Sequence, residues 1–132
     1  MKIWREINGQ KIVFELTDKE LVSAYEEQRH KYVIEDVKEE KPDYPDGLAY
    51  DVALEVIHQQ DFYGCPFDVA LNNVIPDFEK DLKEDRIEYN DMQIMLENDS
   101  FATRMEKRNM ESNKVALEKY WGVYLFNTEK EL

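Results

Sequence analysis

Residues 120–126 read YWGVYLF, and the fold class turns on how that run is divided. Gly122 interrupts it, and glycine is a poor helix interior residue. Val123, Tyr124, Leu125 and Phe126 after it are types that suit a pleated, half-buried strand. The pattern predicts a long helix from Asp99-Ser100 to about Trp121, stopped at Gly122, then a short strand over 123–126. A strand needs a partner, and the opposite end of the chain offers one.

IWREINGQKIVFEL (3–16) has the form of a β-hairpin. Asn8-Gly9 supplies the two residues that most readily take the positive φ of a type I′ turn. Apolar residues recur at Ile3, Ile7, Ile12, Phe14 and Leu16, with Trp4 and Val13 on the other face. Two strands alone are marginal in water. The expected fold is therefore α+β: a small antiparallel sheet, made of the N-terminal hairpin plus the C-terminal strand, packed on four to five helices. At 132 residues, one domain over 1–132 is expected.

Between these ends the sequence predicts helices. Thr17-x-x-Glu20 is a capping box opening a helix that runs to about Glu40, with Leu21, Ala24, Tyr25, Gln28 and Tyr32 on its inner face. Val33, Ile34 and Val37 make another side apolar further along. Pro42 and Pro45 forbid continuation, so KPDYPDG (41–47) is a loop. A second helix over 47–62 is apolar widely enough, through Leu48, Val52, Ala53, Val56 and Ile57, to be central. Pro66 sits at the start of a third, with Asp68 in its first turn. Pro76 is expected to end or kink that helix, with PDFEKDLKED as a further short one. Residues 86–96 fit either helix or strand.

The net charge is −13, and it is unevenly placed. Residues 1–16 and 101–132 each carry +1, residues 17–62 carry −8 and residues 63–100 carry −7. Such a field repels nucleic acid and anionic membrane and speeds encounter with basic partners. Direct nucleic-acid binding, which rests on neutralising phosphates, is disfavoured. A single cysteine, Cys65, excludes an internal disulfide and a multi-cysteine zinc site. The N-terminus is not a signal peptide, and no apolar run is long enough to span a bilayer. A cytoplasmic location is expected.

The two histidines each sit in a Glu-x-x-His pair, Glu27/His30 and Glu55/His58. That is half the ligand set of a di-iron carboxylate bundle. Helical phase, however, sets Glu27 and His30 away from the Tyr25/Tyr32 face. It places Asp51, Glu55 and His58 in a polar stripe, which solvated side chains ordinarily explain. Cys65, between Gly64 and Pro66, reads as a small apolar residue at a turn. With no phosphate-cradling glycine loop, no catalytic residue, metal ligand or cofactor is assigned, and an enzyme is not expected.

Binding remains. EDVKEEKPDYPDGLAYD (35–51) sets Tyr44 and Tyr50 among Glu35, Asp36, Glu39, Glu40, Asp43, Asp46 and Asp51. FEKDLKEDRIEYND (78–91) adds Glu79, Asp81, Glu84, Asp85, Glu88 and Asp91. Carboxylates at this density, with rings between them, can imitate nucleic acid to a basic groove. The candidate partner-binding residues are Glu35, Asp36, Glu39, Glu40, Asp43, Tyr44, Asp46, Asp81, Glu84, Asp85 and Glu88. The expected partner is a basic protein, a nuclease or another nucleic-acid-binding protein. The aromatic run 120–126 is core, or else a surface for self-association.

The opening IWREINGQKIVFELTDKEL, running into YEEQRHKYVIEDV, is similar to the start of short accessory proteins of phage and integrative elements in gut Firmicutes. The resemblance covers about the first 37 residues and carries no site residue with it. It implies a mobile-element context in which small acidic inhibitors recur, anti-CRISPR proteins among them. The expected function is a non-catalytic acidic inhibitor or modulator, anti-CRISPR-like or DNA-mimic-like. The alternatives are a small metal-dependent enzyme using the two Glu-x-x-His pairs and a self-associating structural domain.

Overall fold

A computed structural model describes residues 2–15, 17–98 and 103–132. Where one domain is expected, it divides into two compact units, Met1–Tyr32 and Val33–Leu132. In the first, β1 (Lys2–Ile7) and β2 (Gln10–Glu15) pair antiparallel, with Ile7 opposite Gln10 at the closed end. Asn8 and Gly9 take φ of 51° and 77°, the two positive values that a tight hairpin turn needs. Helix α1 (Asp18–Glu40) follows, and the Thr17 hydroxyl accepts the Glu20 N–H at 3.2 Å as a cap. The face assigned inward is not buried: Tyr25 is 69% and Tyr32 56% exposed. The buried residues of α1 are Val33 and Val37, which carry no polar atom to keep wet, whereas tyrosine can leave its hydroxyl in solvent.

Those two valines belong to the second unit, whose described core is helical apart from Tyr44 in the loop before α2 and Leu132 after α5. α2 (Asp46–Tyr63) lies at its centre, with Leu48, Ala49, Val52, Ala53 and Val56 fully buried. α3 (Phe67–Glu97) contributes Ala70, Leu71, Val74, Leu82, Tyr89 and Met92 to the interior. α4 (Arg104–Trp121) and the single turn α5 (Val123–Phe126) close the unit with Trp121, Tyr124 and Leu125.

α3 runs unbroken through Pro76, against the expectation of a stop there, and it absorbs the ambiguous segment 86–96. Proline removes the N–H that the Asn72 carbonyl would accept, at a cost of roughly 3 kcal/mol. Asn72 is exposed, so its carbonyl is open to water. Each large apolar side chain buried on either side of the proline is worth about 1.5–3 kcal/mol. Leu71 and Val74 before it and Leu82, Tyr89 and Met92 after it keep one continuous inward stripe. Burial outweighs the single lost bond.

The α+β expectation is overturned at residues 123–126. They form helix α5 and pair with no strand; β1 and β2 pair only with each other, in the other unit. Tyr124 and Leu125 are adjacent, and both are buried. A strand would send them to opposite faces, whereas one helical turn holds both against the same core. The start expected at Asp99-Ser100 lies outside the described residues; α4 is capped by Thr103, whose hydroxyl accepts the Glu106 N–H at 3.2 Å.

Gly122 makes the junction. Its φ of 57° with ψ of −130° is a conformation side chains avoid, and a Cβ there would stand 2.9 Å from Pro45 Cγ. Gly122→Ala is expected to lower the unfolding free energy by about 2 kcal/mol or more, read by urea titration under circular dichroism. A variant as stable as the parent would refute this turn.

Candidate protein-interaction surface

The carboxylates divide into those that hold the fold and those that face outward. Trp121 is 1% exposed, and its indole N–H donates to Asp85 Oδ2 at 2.8 Å. The Tyr120 hydroxyl donates to Asp51 Oδ2 at 2.6 Å, and the Tyr89 hydroxyl to Glu118 Oε1 at 2.5 Å. Each aromatic ring is thus placed in or against the core while its polar tip is satisfied by a charged acceptor, the stronger kind of hydrogen bond. Asp85 therefore serves the interior, which corrects its assignment to a partner.

Tyr44 is corrected as well. It lies in the core, 5.6 Å edge-to-face from Tyr124, and its hydroxyl finds no hydrogen-bond partner among the described residues. Pro42 and Pro45 bracket it in a loop, which suggested exposure; the loop instead folds over the end of the unit. Asp43 is held by Lys130 and Asp46 by Lys38. The Lys38 hydrogen bond and charge depress the Asp46 carboxyl below its ordinary range, and the Asp43 hydrogen bond raises the Lys130 ammonium. Both pairs are solvent-facing, so each adds little stability. They do reduce the charge that Asp43 and Asp46 offer a partner.

Glu35, Asp36, Glu39 and Glu40 are all exposed on the last turns of α1. On α3, Asp81, Glu84 and Glu88 are exposed too, and continuity through Pro76 extends their line to Asp77 at one end and Asp91 at the other. The spacing i, i+4, i+7, i+11, i+14 keeps these five carboxylates within an arc of about 80° at roughly 100° per residue. Over 14 residues at about 1.5 Å rise, the line is about 21 Å long. None of the five forms an ion pair with a described residue. Sequence reasoning left out Asp77 because the acidic run it singled out begins at Phe78.

The Glu-x-x-His pairs do not build a metal centre in the described residues. His30 belongs to the first unit and His58 to the second. His58 Nδ1 stands 3.8 Å from Glu55 on one exposed turn, while Asp51 is engaged by Tyr120. No group of three or more His, Cys, Asp or Glu side chains among the described residues is placed to hold a metal ion. The Cys65 thiol donates to the Gln59 carbonyl at 3.6 Å, closing the turn after α2. Among the described residues no helix is long and apolar enough to cross a membrane. Comparison with family models, with curated proteins and with solved structures finds no match to this chain.

Two measurements test this division. Asp85→Ala leaves the buried Trp121 N–H without its acceptor and is expected to cost about 1–3 kcal/mol of stability, whereas Glu88→Ala should stay within about 0.5 kcal/mol of the parent; equal effects would refute the sorting. The tyrosines supply the second test. Burial raises the Tyr44, Tyr120 and Tyr124 phenols, and the Glu118 hydrogen bond, aided by burial, pushes Tyr89 from 10.0 up to about 12. A phenol with a raised folded pKa stabilises fully below the unfolded value, and that contribution disappears as pH rises through the folded one. The Tyr89 contribution should persist to about pH 10 and fall as pH climbs through about 12, and those of Tyr44, Tyr120 and Tyr124 likewise fall only above the ordinary phenol range, with tyrosinate absorbance developing alongside unfolding. Full tyrosinate absorbance in a still-folded chain at pH 11 would contradict it.

Proposed function

We propose that this chain is a non-catalytic acidic interaction protein that inhibits or modulates a basic, nucleic-acid-binding bacterial protein. The observation that carries the reading is the α3 line of Asp77, Asp81, Glu84, Glu88 and Asp91. It presents about one negative charge per 5 Å along a rigid axis, at 5.4 Å per helical turn. A nucleic-acid strand presents one charge per roughly 3.4 Å. A cleft built to track phosphates would meet a comparable row of fixed acceptors, already ordered by the helix, so little entropy is lost on docking. Glu35, Asp36, Glu39 and Glu40 on α1 add a second group of exposed charge. The N-terminal resemblance to accessory proteins of mobile elements, where acidic inhibitors such as anti-CRISPR proteins recur, agrees with this role.

The test uses basic nucleic-acid-binding proteins of a bacterial host captured on the immobilised full chain at low salt. Association should slow steeply as salt rises. The triple variant Asp81→Lys, Glu84→Lys, Glu88→Lys should lower the association rate about tenfold or more while keeping the parent's circular dichroism. The chain should also displace nucleic acid from the captured protein. Salt-insensitive binding, or nucleic acid that stays bound, would overturn the proposal.

A further inference from the structure

Among the described residues β1 and β2 pair only with each other, so each has one edge with no described strand beside it. A two-stranded ribbon is marginal in water and gains from further strands. Ile7 opposite Gln10 closes the two-residue turn, the position where a pair exchanges both backbone hydrogen bonds. By alternation Ile12 and Phe14 bond inward to β1, and Lys11, Val13 and Glu15 direct N–H and C=O at the outer edge of β2. β2 runs six residues in continuous register without proline or bulge. Of the usual devices that blunt an edge strand, it has one lysine. Val13, at the middle of that edge, is 59% exposed.

The charges along the edge select what fits there. Lys11 and Glu15 flank Val13 at equal spacing with opposite signs. A two-fold axis at Val13 therefore sets Lys11 of each copy opposite Glu15 of the other, with Ile12 opposite Phe14 between them. Within one hairpin Glu6 stands opposite Lys11, and Lys2 opposite Glu15. Across four strands each outer row then reads Glu6, Lys11, Glu15, Lys2, alternating in sign at every step. Lys11 keeps the carboxylate opposite it in its own hairpin and gains a second. Sliding the pairing by two residues sets Lys11 opposite Val13 or beyond the strand and loses both charge pairs. The same operation about Trp4 on β1 sets Ile3 opposite Arg5, a poorer match. Charge elsewhere agrees: residues 17–62 and 63–100 carry −8 and −7, whereas residues 1–16 carry +1, so the hairpin is where two copies meet with least repulsion.

We propose that the outer edge of β2 binds a second copy of this chain, β2 against β2 and antiparallel about Val13, in one four-stranded sheet. Lys11, Val13 and Glu15 of the two copies exchange about six backbone hydrogen bonds, and the lysine that deters other strands becomes the residue that sets the register. The pairing is isologous, so it closes at two copies. It stands apart from the basic-partner reading, since the α3 line takes no part in it.

Sedimentation of the full chain should show a dimer that dissociates on dilution. Hydrogen exchange on the same protein locates the contact. The Val13 and Glu15 N–H groups lie outside the ladder of a single hairpin, so they should be protected in the dimer and exchange at least about tenfold faster once dilution has produced monomer. Lys11→Glu and Glu15→Lys each bring like charges together at both ends of the axis and should weaken self-association about tenfold. Mixed in equal amounts, the two variants restore opposite charges at both ends and should dimerise like the parent, a recovery that unfolded hairpins could not give. A chain that stays monomeric at its highest soluble concentration would overturn the proposal. So would a dimer whose Val13 and Glu15 N–H groups exchange alike at every concentration, or variants that self-associate as the parent does. A mixture no more dimeric than its components, while both keep the protection of Ile12 and Phe14, would overturn it too.

Discussion

A buried indole must find an acceptor, and in the helical unit Trp121 finds it at Asp85 on α3. That bond fixes the end of α4 against the middle of α3, and most of the closing geometry follows. With Trp121 inserted, the chain must turn sharply to avoid Pro45, and Gly122 is the residue that can do so. α5 then falls beside α3, where the neighbouring Arg86 takes the Tyr124 carbonyl through Nε at 3.0 Å and the Asn127 carbonyl through Nη2 at 2.9 Å. Consecutive residues of α3, an acid and a base, thus secure consecutive parts of the C-terminal segment. Either contact alone would leave a buried polar group unmatched, the costly outcome in a low-dielectric interior.

The same arrangement explains how so acidic a chain folds. Like charges this dense repel one another and penalise compaction. Here three carboxylates, still charged, are stabilised by phenol and indole donors, at Asp51, Glu118 and Asp85, and two more are paired with the opposite charges of Lys38 and Lys130. The repulsion that remains is spread along exposed helix faces, where water screens it. The acidic surface and the aromatic core are therefore not independent inventions: the rings hold the carboxylates nearest the interior in hydrogen bonds, and the others face outward.

What could be read in advance was local. Asn8-Gly9, Thr17-x-x-Glu20 and Pro66 with Asp68 act through backbone groups a few residues away, and each stands where its chemistry demands. The centrality of α2 was legible because Leu48, Val52, Ala53 and Val56 repeat at helical spacing. Residues 123–126 were misjudged because β-propensity describes fit to a pleated surface, and no such surface is near them in their own unit; Tyr124 and Leu125 answer to the helical core. Pro76 was misjudged for a related reason, since a local rule was overruled by apolar residues placed many positions to either side. On the candidate surface, the acidic runs 35–51 and 78–91 were legible from their density of carboxylates, but the inward work of Tyr44 and Asp85 depends on partners 80 and 36 residues distant, which periodicity does not reveal.

Those distances have a kinetic side. Asp43 meets Lys130 across 87 residues, Tyr120 meets Asp51 across 69, and Arg86 meets Asn127 across 41. Helices ordinarily favour quick assembly through neighbouring contacts, whereas closing long loops delays the reward for each one. In this unit α2 and most of α3 can form early, yet the apolar strip that Trp121, Tyr124 and Leu125 cover stays open until the chain past Gly122 has been made and has swung back over it. During synthesis, then, the nascent helices carry an uncovered seam for the time taken to add some sixty residues beyond α2, several seconds at about 5–20 residues per second. The heavy negative charge of residues 17–100 would keep neighbouring nascent chains apart over that interval.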